Sequence, residues 1–221
     1  MRGMTDDRSE DDMTTRPLSL GDADFDFVVI GGGSAGFAAA IRAVERGASV
    51  VMVNAGTIGG TCVNVGCVPS KTLIRAAEAR HGAVAHSFDG IERRPLTVDW
   101  PAVRGGKNDL VAALRTARYE DVLAAYPEIS FVSARATLAE GGRVELDNGA
   151  SIRGGRLIVA TGSSPWVPPI PGLAEAGFLD SAALLDIAAL PASLALLGAG
   201  PVGLELAQAY ARLGVEVTVL A

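Results

Sequence analysis

Phe25-Asp26-Phe27-Val28-Val29-Ile30-Gly31-Gly32-Gly33-Ser34-Ala35-Gly36 is the stretch on which the reading of the fold turns. Phe25 to Ile30 is a short apolar run with β-branched residues, glycines follow at once, and an alanine-rich segment continues to about Arg46. The order is strand, glycine turn, helix. In such a GxGxxG turn Gly31 makes the tight bend, Gly33 lets backbone approach a pyrophosphate, and Gly36 allows helix to pack closely on strand, with phosphate at the helix N-terminus. The motif alone is weak; in this context it reads as a dinucleotide-binding unit. The second strand, Ala48 to Val53, is followed by Asn54, where such units place an acid that grips the adenosine ribose. An amide still hydrogen-bonds a ribose hydroxyl, more weakly than a charged acceptor does.

Outward from this unit, Gly59-Gly60-Thr61-Cys62-Val63-Asn64-Val65-Gly66-Cys67-Val68-Pro69-Ser70-Lys71 holds both cysteines and one of the two lysines of the chain. Four residues separate the thiols, and glycines precede and divide them, so one turn brings the sulfurs together while backbone passes close to a flat ligand. Pro69 fits the first turn of a helix expected from Ser70 to about Arg80. The positive end of that helix would favour thiolate over thiol. The competing reading is a structural disulfide or two buried free cysteines, with no other cysteine present to build a framework.

After this helix the stretch His81 to Val98 reads as irregular, and its two histidines read as surface residues without partners at ligand spacing. Asp99 to Ala125 is helical in pattern, with an interruption expected at Gly105-Gly106. Ile129 to Ala134 reads as a strand, and residues 136–139, 143–147 and 151–153 as short strands of a β-meander with a hairpin at Asn148-Gly149. Arg156 to Ala160 is a further buried strand, ending in Thr161-Gly162-Ser163-Ser164-Pro165. Pro165 to Pro171 reads as a linker. A second unit then begins: strand Leu194 to Leu197, the turn Gly198-Ala199-Gly200-Pro201-Val202-Gly203, helix Leu204 to Leu213, and strand Val215 to Leu220. The fold class is therefore α/β, with a Rossmann-like domain carrying an inserted meander at residues 25–170 and the start of a second at 171–221.

The cysteine segment resembles, nearly letter for letter, the redox-active segment of the flavin-dependent pyridine nucleotide–disulfide oxidoreductases. Within that family the fuller run from Gly56-Thr57-Ile58 through Lys71, followed by Ile74-Arg75-Ala76-Ala77, is most similar to the mercuric reductases. The resemblance implies FAD on the first unit and a nicotinamide nucleotide on the second. It makes Cys62 the thiol that meets substrate and Cys67 the thiol against the flavin, both of them ligands for Hg(II). It places Gly31, Gly33, Ser34, Ala35, Gly36, Asn54, Gly56, Gly60, Thr61, Lys71, Ala134, Thr161 and Gly162 at FAD, and Gly198, Gly200 and Gly203 at the nicotinamide nucleotide. Glu205 would pair with Lys71 beside the flavin, the alternative being two unrelated surface charges. Tyr119, in Leu114-Arg115-Thr116-Ala117-Arg118-Tyr119-Glu120, would be a substrate-site residue or a packing residue. Ala221 stands where an NAD enzyme keeps an acid, which favours NADPH over NADH. The implied activity is reduction of Hg(II) to Hg(0) with NADPH. Dihydrolipoamide or glutathione-type disulfide reduction is the main alternative, and an inactive FAD-binding fragment the other.

The 221 residues carry a formal net charge of −6, of which residues 1–26 hold eight acids against three arginines. The remainder is nearly neutral, with no basic stripe for nucleic acid and no polybasic patch for a membrane. Residues 1–24 read as a disordered acidic tail without the order of a secretory signal, which points to the cytoplasm. No cysteine precedes Cys62, so the extra metal-trapping domain of many mercuric reductases is not expected there. The chain reads as an N-terminal portion that stops inside its nicotinamide domain, the full-length protein being a homodimer by resemblance.

Overall fold

A computed structural model describes residues 24–221, and the acidic tail expected at residues 1–24 falls, up to Ala23, outside the described residues. Strand β1 (Phe25–Ile30) leads into helix α1 (Ser34–Val44), and β2 (Val50–Asn54) follows. Residues 50–53 of β2 are buried on both faces, as expected of a central parallel strand covered on each side. A short helix α2 (Gly60–Asn64) precedes α3 (Cys67–Gly82). Helix α4 (Trp100–Arg115) runs into a single π-turn, Thr116–Glu120, and then α5 (Asp121–Ala125). Four strands follow: β3 (Ile129–Ser133), β4 (Ala136–Leu138), β5 (Arg143–Leu146) and β6 (Ser151–Val159). They join one six-stranded sheet in the order β3-β2-β1-β6-β5-β4, parallel from β3 to β6 and antiparallel through β5 and β4.

The strands expected at 151–153 and from Arg156 to Ala160 are in fact one continuous β6, antiparallel to β5 at its start and parallel to β1 from Gly154 onward. Gly154 lies within this strand, where its missing side chain leaves room for Val28: a Cβ there would lie 2.6 Å from the Val28 side chain. On one face of the sheet Val29, Val50, Met52 and Ile129 are buried with Phe37 and Ala40 of α1. The meander covers the other face, over Val28, Ile30, Val51, Val53, Val144 and Ile152.

Beyond the sheet come α6 (Leu173–Ala176) and α7 (Ser181–Leu184), then β7 (Ser193–Leu197), α8 (Pro201–Arg212) and β8 (Glu216–Leu220), with β7 and β8 paired in parallel. A third apolar cluster, with Leu73, Ala77, Trp100, Leu184, Leu206 and Tyr210, joins α3, α4 and α7 to α8. Among the described residues no helix is long and apolar enough to cross a membrane.

The interruption expected at Gly105-Gly106 does not occur, and α4 continues to Arg115. Tertiary contacts override the poor helix propensity of two adjacent glycines. Residues 100, 104, 107 and 108 share a face of the helix. Trp100 Nε1 donates to the Ile187 carbonyl at 2.9 Å, and Arg104 meets Asp186 through two hydrogen bonds of 2.8 and 2.9 Å. The buried Lys107 and the exposed Asn108 reach the same carboxylate at 3.4 and 3.2 Å. The Arg104 hydrogen bonds, with that of Asn108 and the charge of Lys107, hold the Asp186 carboxyl well below the ordinary range. From the other side Tyr210 donates its hydroxyl hydrogen to the Leu184 carbonyl, so the segment entering the second unit is fixed between α4 and α8.

A Cβ at Gly105 or Gly106 would meet nothing within 4 Å. Replacing each by alanine is expected to raise the unfolding free energy by about 1 kcal/mol. Thermal or urea unfolding checks this, and a loss of stability would mean that these positions need glycine.

Candidate active site at the glycine turn

The first glycine turn is closed by backbone contact. Gly31 has φ +117° and leaves no room for a side chain, since a Cβ would lie 2.2 Å from the Ala160 carbonyl oxygen. A Cβ on Gly36 would lie 2.0 Å from the Gly31 oxygen, so the start of α1 presses directly on the turn. The cysteine segment lies against the same turn. Gly59 N–H donates to the Gly32 carbonyl at 2.8 Å, and Gly33 bridges to Gly59 in parallel fashion. A Cβ on Gly60 would lie 2.8 Å from Gly33 Cα. Asn64 Nδ2 then donates to the Ile58 and Gly60 carbonyls, each at 2.9 Å, and holds this approach in shape.

Cys62 lies in α2 and Cys67 is the first residue of α3. Both are exposed free thiols, which removes the reading of two buried cysteines. Helix α3 starts at Cys67 rather than at the expected Ser70, with Pro69 in its first turn, so one sulfur stands within the helix terminus itself. The expectation that both thiols would be shifted toward thiolate does not hold for Cys62. Its hydrogen bond with Cys67 and its partial burial push the Cys62 thiol above the ordinary value, against a smaller opposite pull from the Arg118 guanidinium. The neighbouring Cys67 is thus the main reason that Cys62 resists ionisation.

Lys71 follows Cys67 by four residues and so shares its face of α3. Its Nζ donates to Glu205 Oε2 on α8 at 2.5 Å. Both side chains are about half exposed, so the pair contributes roughly 0–1 kcal/mol to stability and acts mainly as a locator. Glu205 lies one turn into α8, behind a second glycine turn built like the first: Gly198 has φ +103°, and a Cβ on Gly203 would lie 2.6 Å from the Gly198 oxygen. Gly200 caps the helix.

A cavity of about 470 Å³ opens between the first turn, the end of β2 and the cysteine segment. Seven of the residues expected at FAD line it: Gly31, Asn54, Gly56, Gly60, Thr61, Ala134 and Thr161. Gly33, Ser34, Ala35, Gly36, Lys71 and Gly162 are outside that lining. Tyr119 hydrogen-bonds Ser34 through its hydroxyl at 2.9 Å, and its ring meets Phe37 edge-on at 5.1 Å and flanks Gly59. It therefore packs on the glycine turn from the π-turn that also carries Arg118. His86, expected on the surface, is partly buried instead, with both ring nitrogens shielded and unpartnered beside Phe88.

Sequence reasoning missed two groups. Arg115 donates to Asn64 Oδ1 at 3.1 Å and ties α4 to the Cys62 helix. Lys107 carried a signal that went unused: in a chain where 17 of 19 basic residues are arginine, the second lysine stood out as much as Lys71 did.

Paired thiols between two strand–glycine turn–helix units form the architecture of dinucleotide-binding disulfide oxidoreductases. The sequence profile of the pyridine nucleotide-disulphide oxidoreductase family matches residues 25–221, and the chain belongs to that family. It is 48% identical over 199 residues to a mercuric reductase of Streptomyces lividans, covering 88% of this chain and 42% of that protein. A mercuric reductase of Shigella flexneri is 44% identical over 198 residues, covering 87% of this chain and 35% of the relative. Among solved structures, the HOCl-induced flavoprotein disulfide reductase RclA from Escherichia coli superimposes with a TM-score of 0.76 at 31% identity, over 88% of this chain and 41% of the other. The chain thus spans less than half the length of these relatives.

If Cys67 is what raises Cys62, Cys67→Ala lowers the midpoint of Cys62 alkylation toward that of an ordinary thiol. Iodoacetamide labelling against pH, read by mass spectrometry, checks this; an unchanged midpoint would contradict it.

Proposed function

We propose that the full-length protein is an FAD-dependent, NADPH-consuming mercuric reductase, and that the described residues supply its flavin cradle and its thiol pair. The observation that carries this reading is the placement of Cys62 and Cys67 at a glycine turn beside a cavity of about 470 Å³. Its fit to FAD rests on Gly31 and Gly60, which line the cavity and let backbone close on backbone at its rim, against Ala160 and Gly33, and on the N-terminus of the 11-residue α1, which would receive the pyrophosphate. When bound, FAD supplies hydride acceptance from the nicotinamide and onward two-electron reduction.

The residues of the chain would divide the remaining work. Gly31, Gly33, Ser34, Ala35 and Gly36 receive the pyrophosphate, while Ala134, Thr161 and Gly162 flank the cofactor from the sheet. Lys71, fixed by Glu205, sets a positive charge beside it. Gly198, Gly200 and Gly203 receive the nicotinamide nucleotide, with NADPH favoured because no acid stands at Ala221. Cys67 would stand against the cofactor and Cys62 would meet the substrate. Soft Hg(II) is bound by the two thiolates, which soft-metal preference supports. The overall step balances as NADPH plus Hg(II) giving NADP⁺, Hg(0) and a proton. Similarity to proteins named mercuric reductases supports this substrate over others. The same thiol pair would also serve disulfide exchange, which similarity to a flavoprotein disulfide reductase supports as the second reading. We place the protein in the cytoplasm as a homodimer.

On the full-length protein, Hg(II) is expected to stimulate NADPH oxidation, and Cys62→Ala or Cys67→Ala to reduce it by at least about a hundredfold. Turnover of lipoamide or glutathione disulfide without any response to Hg(II) would overturn the mercury assignment and leave the disulfide reductase.

A further inference from the structure

Where a dinucleotide-binding unit ordinarily keeps an acid at the end of its second strand, this chain has Asn54, and both ends of the Asn54 amide are engaged. Oδ1 accepts from the Gly32 N–H at 3.0 Å, and Nδ2 donates to the Gly56 carbonyl at 2.5 Å. The partners fix the orientation of the amide: an N–H needs the oxygen, and a carbonyl needs the nitrogen. Gly32 is part of the clamp, because a Cβ there would lie 2.9 Å from Asn54 Cγ. Asn54 also lines the cavity beside Gly31, Gly56 and Thr57.

We propose that Asn54 is the positioning residue of the first nucleotide site, clamping the glycine turn to the loop after β2. The adenosine ribose is then received by a neutral amide with one N–H and one lone pair to spare. This rests on the FAD reading above. An acid is chemically unequal to the task. A carboxylate accepts from Gly32 as well as the amide does, but it has no hydrogen for Gly56 and sets a negative charge against that carbonyl oxygen. The departure from an acid is therefore a requirement of this loop. Its consequence runs opposite to the usual rule, since restoring the acid weakens the site.

The test titrates the chain, wild type and the Asn54→Asp and Asn54→Ala variants, with FAD by fluorescence quenching. Amide exchange of Gly32 and Gly59 is followed by NMR in the absence of FAD. For Asn54→Asp we expect about tenfold weaker FAD binding, a Gly32 N–H that stays protected, and a Gly59 N–H that exchanges faster as the loop is released. In Asn54→Ala both amides lose protection. Asn54→Asp binding FAD as tightly as wild type, or more tightly, overturns the proposal, as does unchanged Gly59 exchange. A wild-type chain that binds no FAD sinks the FAD reading instead, and the exchange data then still decide the clamp.

Discussion

The hydrogen bond from Gly59 N–H to the Gly32 carbonyl, with Gly33 and Gly60 pressed together beside it, is the contact on which the site depends. It joins the two turns main chain to main chain. A single Cβ at Gly60 would push the cysteine segment away from the turn. The thiols would then no longer stand beside the cavity. Close packing of backbone on backbone leaves little freedom to relax, so the position of Cys62 is set by the sheet that carries the turn.

A second constraint holds the redox helix to the other unit. Helices α3 and α8 run parallel, tied near their N-termini by Lys71 and Glu205, and near their C-termini by Arg80, which donates to the Arg212 carbonyl at 2.6 Å and to that of Leu96 at 3.0 Å. Both helix N-termini, one carrying Cys67 and one following the second glycine turn, thus point toward the same end of the pair. The half-exposed ion pair adds little stability, and the apolar contact of Leu73 and Ala77 with Leu206 and Tyr210 supplies most of the adhesion. A parallel pair delivers two positive helix ends to one place, which suits a site that handles phosphates and thiolates.

What the sequence disclosed was local. The glycine turns, the strands that flank them and the Asn148-Gly149 hairpin are written in adjacent residues, and they stand where the pattern puts them. The Lys71–Glu205 contact spans 134 residues and was legible only through family resemblance. Gly105-Gly106 misled because propensity describes an isolated segment, whereas Asp186 holds α4 from a distance. The shift of Cys62 was misjudged because a helix dipole was weighed while the neighbouring thiol was not. The double use of the Asn54 amide depends on where two loops come to rest, which no spacing encodes.

Electronic contact between the two sulfurs and a bound flavin is the central requirement of the proposed site. Anaerobic titration of the FAD-loaded full-length protein with dithionite measures this directly. The expected result is uptake of an electron pair beyond that taken by the flavin, lost on replacing either cysteine by alanine. Uptake that stops at the flavin in the unaltered protein would contradict the account.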